Sequence, residues 1–335
     1  MRGYVPGEQP RGGRFIKLNT NENPYPPSPR VVRAVTRAAG EDLRLYPSPC
    51  ADELRDKAAE VYGTRAEQVL VGNGSDDLLA ICLRACVGQG GEVAFSVPTY
   101  FVYRTLVEIV GGRCTEIADP GGGRVADALV ESKAPIKLIC TPGSPYGEPV
   151  AVEAIRRVAE ASSGMVVVDE AYGDFAGRSA LGILDEYSNV VVVRSLSKSF
   201  SLAGARVGLV FASSPVVREL IKVKDSYNVS RLSSAAGVAA LEDLDWMRAN
   251  VERVVATRER VTGVLRERGW TVRDSAANFF WLDCGDLGGR AVYAKLRDQR
   301  ILVRWFDEPR LRGGVRVSVG SDADMNRFLE ALGEP

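Results

Sequence analysis

The sequence predicts an α/β protein: a large domain on a mostly parallel β-sheet, a smaller C-terminal α/β unit and an extended N-terminal arm. Three observations carry this. Short valine-rich runs such as Val190–Val193 alternate with amphipathic stretches of helical period, the pattern of a parallel sheet covered on both faces. A long helical region beginning near residue 231 then separates these runs from a second group of strand-like segments. Finally, the first thirty residues are punctuated by Pro6, Pro10 and the segment NENPYPPSP, which reads as extended chain rather than packed structure. The expected organisation is an arm over residues 1–30, a large domain over 31–235 and a small domain over 236–335.

The elements follow in order. PRVVRAVTRAAGEDL is an amphipathic helix, EQVLVG a short strand and SDDLLAICLRACV a helix. GEVAFSV, IKLICT, GMVVVDEAY, NVVVVRS and ARVGLVFA are strands, and YFVYRTLVEIVGG and VEAIRRVAEAS are helices between them. The stretch from SRLSSAAGVAAL to VLRERG is helical. FFWLDCG, ILVRWF and GGVRVSVG are the strands of the smaller unit. The chain contains no internal repeat and no low-complexity tract.

Composition narrows the function classes. At 335 residues with 45% hydrophobic and 26% charged residues, the chain is long enough for two cores and has a globular enzyme's balance. Lys plus Arg equals Asp plus Glu at 43 each, so neither a nucleic-acid nor a membrane surface is indicated. No apolar run reaches membrane-spanning length, and MRGYVPGEQPRGGR has no hydrophobic signal core, so a cytoplasmic protein is expected. The six cysteines lack CxxC spacing. Cys82 and Cys86 lie one helical turn apart on an apolar stretch that suits core packing, and reduced thiols are expected throughout. There is no histidine. That excludes Ser-His-Asp catalysis, histidine-ligated zinc and imidazole proton shuttles, and leaves lysine, carboxylate, tyrosine or a cofactor as the general base.

In open α/β sheets ligands bind beyond the carboxyl ends of the strands. Three such ends carry polar residues: Gly72-Asn73-Gly74-Ser75 after VLV, Asp169 after MVVV, and Ser195 to Lys198 after VVVV. The first is a small-residue turn into a helix, where backbone N–H groups and the helix dipole attract phosphate. Taken alone it is equally a helix N-capped by Ser75. It has neither a Walker lysine nor GxGxxG spacing, which sets aside a nicotinamide dehydrogenase. A carboxylate at the end of a buried strand needs a cationic partner or it protonates, and a protonated pyridine nitrogen is one such partner. Lys198 can form a Schiff base with an aldehyde, and Ser195, Ser197 and Arg206 can hydrogen-bond a phosphate. Together these residues suit pyridoxal phosphate.

SLSKSFSLAGARVG, VVVDEAY and NTNENPYPPSP resemble the fold-type I pyridoxal-phosphate-dependent transferases, specifically the histidinol-phosphate aminotransferase family, and the resemblance runs from YVPGEQP to VRVSVGS. It implies pyridoxal 5'-phosphate as cofactor, with Lys198 as the Schiff-base lysine and Asp169 as partner of the pyridine nitrogen. Tyr172 is implied to hydrogen-bond the ring hydroxyl oxygen and Tyr100 to stack on the ring. Gly74, Ser75, Ser195, Ser197 and Arg206 match the phosphate cup. Tyr46, in LRLYPSP, matches a tyrosine that reaches the neighbouring subunit's cofactor, so the resemblance implies a homodimer. Arg316 matches the arginine that binds the substrate's acidic group, and Arg304 and Tyr4 match positions used around the substrate phosphate. Arg304 reads equally as a strand-edge arginine. One departure stands out: the usual NPNNPTG is TPGSPYG here, so Ser144 replaces the asparagine that supports the ring hydroxyl oxygen.

The implied activity is transfer of an amino group from glutamate to imidazole acetol phosphate, giving histidinol phosphate and 2-oxoglutarate. Aromatic amino-acid aminotransferases and the threonine-phosphate decarboxylase of cobalamin synthesis resemble the same family. A DNA-binding regulator on this fold is not expected, because the chain shows no basic helix-turn-helix.

Overall fold

The structure is a computed structural model and describes residues 3, 5–10, 12–119 and 124–335. Its centre is a seven-stranded sheet made of β2 (Val69–Gly72), β3 (Glu92–Val97), β4 (Arg113–Ala118), β5 (Ile136–Cys140), β6 (Val166–Asp169), β7 (Val190–Ser195) and β8 (Gly208–Ala212). The N-terminal strand β1 (Ile16–Leu18) lies apart from it. The strand order is β2-β8-β7-β6-β5-β3-β4, with β8 antiparallel to both neighbours and the remaining pairs parallel. The expected mostly parallel sheet is therefore present.

Alternation within single strands explains why this sheet is buried on both faces. Val190 and Val192 join the core beneath helices Pro29–Ala38, Asp52–Tyr62, Val152–Glu160 and Arg231–Leu241. Val191 and Val193 face the opposite core, under helices Ser75–Cys86, Val102–Ile109 and Ser214–Val223. A strand covered on both sides has no polar face, so it reads as a continuous apolar run. β4 is the exception. Its residues RCTEIA are only partly buried because it is the sheet edge, which is why its sequence carries no strand pattern.

A second core is built around the antiparallel strands β9 (Thr271–Val272), β10 (Phe279–Asp283) and β12 (Gly314–Ser318), with β11 (Ile301–Val303) beside them. The helix Leu244–Glu267 runs along it, contributing Val254, Val261 and Leu265. Here the expectation for the first thirty residues needs correction. β1 pairs in parallel with β11, Ile16 opposite Ile301, and Leu18 is buried in the second core. Asn19 and Asn21 are also buried. Apolar Ile16 and Leu18 flank Lys17 in a strand too short to show a period, so the surrounding prolines dominated the sequence signal.

The antiparallel placement of β8 decides where the site forms. β2, β6 and β7 run the same way, so their carboxyl ends share one edge of the sheet, and β8 begins at that edge. Gly208 starts β8 opposite both Gly72 and Ser195. A Cβ on Gly208 would stand 2.6 Å from the carbonyl carbon of Gly74 and 2.8 Å from the amide nitrogen of Ser75. Glycine here lets the turn after β2 close onto the sheet. Gly208→Ala is expected to push this turn away and destabilise the protein by about 1–3 kcal/mol, the usual cost of overpacking. Thermal unfolding of the two proteins checks this, and an unchanged midpoint would show that the turn moves freely.

Candidate active site

The three polar strand ends converge on one cavity of about 210 Å³. Ser75, Tyr100, Ser144, Asp169, Tyr172, Ser195, Ser197, Lys198, Arg206, Arg304 and Arg316 all line it. The residues that sequence brought together as separate motifs thus share one wall. Two do not. Tyr46 is 79% exposed and stacks on Tyr227 at 4.5 Å, outside this chain's own cavity. Tyr4 lies outside the described residues.

The phosphate-sized end is formed where helix Ser75–Cys86 starts. The sequence left open whether Ser75 caps this helix. The structure makes Gly74 the N-cap residue, with φ of 86°, and Ser75 the first residue of the helix. A Cβ at Gly74 would meet an Arg206 guanidinium nitrogen at 2.5 Å, so glycine is required by backbone conformation and by space alike. Arg206 itself has φ of 53°, unusual for a side-chain-bearing residue. It donates to Ser197 Oγ at 3.3 Å and lies 3.6 Å from Asp76. Ser195 Oγ accepts from the Ser197 amide at 3.3 Å, tightening the turn that ends β7. A helix N-terminus, an arginine and three hydroxyls form a cradle for a dianion.

Lys198 projects into the cavity from that turn. Its Nζ lies 5.7 Å from the centre of the Tyr172 ring and donates to the Thr20 carbonyl at 3.4 Å. Desolvation, then repulsion from Arg316, lowers its pKa to about 8 despite the attraction of Asp76 and Glu22. At neutral pH its neutral, nucleophilic form is far more populated than in an ordinary lysine.

Asp169 ends β6 on the cavity wall and is 3% exposed. Burial raises its pKa to about 6, against the lowering effect of two hydrogen bonds. One comes from the Tyr103 hydroxyl, 2.8 Å from Oδ2, and the other from the Ala171 amide, 3.1 Å from Oδ1. Among the described residues no cation lies within ion-pair distance of it. Tyr172 is buried as well, and its hydroxyl accepts from Asn21 Nδ2 at 2.9 Å. Tyr100 is held by its hydroxyl, which donates to Asp76 at 3.0 Å.

At the other end, Arg304 and Arg316 are direct partners in an antiparallel bridge. Their guanidinium carbons lie 5.0 and 5.6 Å from the centre of the same Phe306 ring. Arg316 donates to Ser144 Oγ at 3.0 Å and to the Asn19 carbonyl at 3.1 Å. Arg304 donates to the carbonyls of Pro6 and Val5 at 3.0 and 2.5 Å. Like charges directly across a strand pair repel. An anion between them would relieve that repulsion, and the arginine fork suits carboxylate or phosphate.

Sequence reasoning missed Asn21, Asp76 and Tyr103. Asn21 sat in a segment read as unpacked arm. Asp76 lies in the first turn of helix Ser75–Cys86, where an acidic residue is ordinary. Tyr103 occupies an apolar helical position, where an aromatic ordinarily signals core alone. No local pattern could have exposed these roles, since each depends on a partner distant in the chain.

The chemistry of the donors fits pyridoxal phosphate: an amine of lowered pKa, a carboxylate without a cation, and a dianion cradle in one cavity. Comparison with known proteins points the same way. The sequence model of the family described as aminotransferase class I and II matches residues 14–332. The histidinol-phosphate aminotransferase of Geotalea uraniireducens is 42% identical, covering 100% of this chain and 96% of the relative. Histidinol-phosphate aminotransferase 1 of Trichormus variabilis is 40% identical, over 99% of this chain and 95% of the relative. The crystal structure of histidinol-phosphate aminotransferase from Sinorhizobium meliloti, in complex with pyridoxal-5'-phosphate, superposes with a TM-score of 0.87. It is 29% identical and covers 95% of this chain and 89% of that one.

The unusual amine gives a direct test that needs no substrate. Competitive labelling of the apo-protein with a small aldehyde and borohydride, read by peptide mass, is expected to show Lys198 titrating near pH 8. Reactivity should rise as pH rises through that value and then level off. A lysine titrating above pH 10, as in model peptides, would mean the site is open to water.

Proposed function

We propose, from the premise that this chain belongs to the class I and II aminotransferase family, that it is a histidinol-phosphate:2-oxoglutarate aminotransferase of histidine biosynthesis. The observation that carries this reading is the single cavity joining Lys198 and Asp169 to two cross-strand arginines. Lys198 would attach the cofactor covalently, and Asp169 would pair with its ring nitrogen. Tyr172 and Ser144 would face its ring hydroxyl oxygen and Tyr100 one ring face. Gly74, Ser75, Ser195, Ser197 and Arg206 would hold its phosphate. Pyridoxal 5'-phosphate, when bound, supplies the aldehyde that takes the amino group and a ring that withdraws electrons from the substrate α-carbon.

With the cofactor bound, Lys198 Nζ would be the base that moves the α-carbon proton. Its lowered pKa places it near the range where proton transfer is efficient, and the chain has no histidine to compete for the role. Asp169, as a carboxylate, favours the protonated ring nitrogen. Tyr172, its hydroxyl already accepting from Asn21, keeps its own proton for donation. Ser144 is shorter in reach than the asparagine that the family resemblance implies at this position. Its oxygen accepts from Arg316, so it ties the cofactor side of the cavity to the substrate side.

Arg304 and Arg316 suit a substrate pair that alternates between a dicarboxylate and a phosphate monoester. Phenylalanine offers them neither a phosphate dianion nor a second carboxylate, and threonine phosphate would leave as a decarboxylated amine. A spectral titration of the holoenzyme with histidinol phosphate, phenylalanine and threonine phosphate therefore separates the three chemistries. Bleaching of the cofactor band by histidinol phosphate alone is expected. A preference for phenylalanine would favour an aromatic aminotransferase.

Arg304→Ala is expected to lower kcat/KM for histidinol phosphate by about one to two orders of magnitude. This follows from losing a charge-assisted hydrogen bond of about 1.5–3 kcal/mol. Unphosphorylated amines should change little. An equal loss for both would mean that Arg304 serves only to hold the Val5 and Pro6 carbonyls, and the phosphate would pass to Arg316 with Tyr4.

The same reading makes the enzyme a cytoplasmic homodimer, with an arm over residues 1–30, a large domain over 31–235 and a small one over 236–335. Tyr46 supports the dimer. It stands 79% exposed beside the exposed Leu43 and Leu45, and it is remote from its own cavity. Its cofactor contact would be to the neighbouring subunit. Mixing Tyr46→Ala with Lys198→Ala subunits, each first shown to be inactive, should restore activity, since one site of each heterodimer is intact. No restoration after verified subunit exchange would place the whole site within one chain.

A further inference from the structure

Tyr103 is fully buried, and no part of it lines the cavity. It lies on helix Val102–Ile109, one turn beyond Tyr100. Its ring is fixed edge-on between two others, Phe95 at 5.9 Å and Tyr100 at 5.8 Å. A tyrosine in such a place usually contributes only packing, and phenylalanine would serve as well. The hydroxyl argues otherwise. It ends 2.8 Å from Asp169 Oδ2, the carboxylate that has no cationic partner among the described residues.

A buried carboxylate stays charged only if hydrogen bonds or charges replace the water it lost. Asp169 has two donors. The Ala171 amide is fixed by the turn after β6 and binds Oδ1 at 3.1 Å. Oδ2 is left to Tyr103. With both oxygens held, the carboxylate plane is set before any ligand arrives, and each oxygen retains a lone-pair direction for a further donor. The neighbouring Cys140 thiol donates instead to the Pro142 carbonyl, at 3.6 Å, and does not supply a substitute.

We propose that Tyr103 is a positioning residue, whose hydroxyl holds Asp169 ionised and aimed at the ring nitrogen of the cofactor. The inference rests on the cofactor reading above. It also extends it, because one helix turn then sets both the ring-stacking residue Tyr100 and the ring-nitrogen partner. Tyr100 reaches Asp76, and Asp76 reaches Arg206 of the phosphate cradle. The ring face, the ring nitrogen and the phosphate are thereby indexed to each other by neighbouring side chains.

The test is a double-mutant cycle read by binding of pyridoxal phosphate to the apo-protein, independent of turnover. Tyr103→Phe keeps the ring and its packing, so the thermal midpoint of the apo-protein should be nearly unchanged. Its cofactor dissociation constant is expected to rise about 10- to 100-fold, the effect of losing a hydrogen bond to a charged group. In an Asp169→Asn background the same change should have less than a twofold effect, because the group it acts through is gone. With cofactor labelled at the ring nitrogen, the nitrogen-15 shift should move toward the unprotonated position in Tyr103→Phe. An unchanged dissociation constant in the wild-type background, or an equal loss in both backgrounds, would overturn the proposal. If Asp169→Asn alone binds cofactor as wild type does, the assignment of Asp169 fails first, and this inference with it.

Discussion

The site depends on one constraint: two ionisable groups, Asp169 and Lys198, are taken out of water at the ends of adjacent strands without an ion-pair partner among the described residues. The contrast one residue further on shows that this is selective. Glu170 is as buried as Asp169 but points the other way, to Arg194 at 3.1 Å, with Ser179 and the Ala180 amide also donating to it. Arg194 is shared with Asp174, which in turn accepts from Ser199 beside the lysine. The buried charges on the side away from the cavity are thus paired with one another. The face toward it carries a carboxylate pushed up to about 6 and a lysine brought down to about 8. Such a pair is costly in an empty protein and becomes favourable with a ligand that offers each its missing counterpart.

That arrangement was partly legible in the sequence, and the reason differs from residue to residue. Val190–Val193 announces a strand buried on both faces, so whatever follows it must sit at the edge of a core. Lys198 stood out for that reason. Asp169 did so likewise at the end of Val166–Val168. Arg206 was legible only as part of a motif, because its place at the same edge follows from β8 running antiparallel, and no pattern in GLVFA fixes direction. Tyr103 was not legible at all. Its ring belongs to the core, its hydroxyl belongs to the site, and the sequence displays only the first. β1 was hidden by its length and by the prolines around it.

The arm is where the sequence reading was furthest from the structure, and this changes the account of how the site is assembled. Asn21 takes a left-handed conformation with φ of 54° and is bonded on every side. Its amide donates to Ser318 Oγ, which donates back to Asn21 Oδ1, both at 2.8 Å. Its Nδ2 donates to Tyr172, and its carbonyl accepts from Asn278 at 3.0 Å. The neighbouring carbonyls of Asn19 and Thr20 accept from Arg316 and Lys198. Three consecutive residues of the arm therefore touch Ser318 of β12, a cofactor-side tyrosine, the candidate base and a substrate-side arginine.

Such a segment does more than cover the cavity. The second core supplies Arg304 and Arg316, the large sheet supplies Lys198 and Asp169, and β1 is paired only with β11. Residues 19–21 are the covalent continuation of that strand into the cavity wall. Through that continuation the Thr20 carbonyl meets Lys198 and Asn21 meets Tyr172, so chain anchored on the smaller unit reaches side chains anchored on the large sheet. Arg304, held by the carbonyls of Val5 and Pro6, adds a second tie between the same unit and the start of the arm. Arg316 and Lys198 thus donate to successive carbonyls, those of Asn19 and Thr20, from opposite sides of the cavity wall. Beyond the β1–β11 ladder each tie is made by a side chain, that of Lys198, Asn21, Arg304 or Arg316, so each is open to a single substitution.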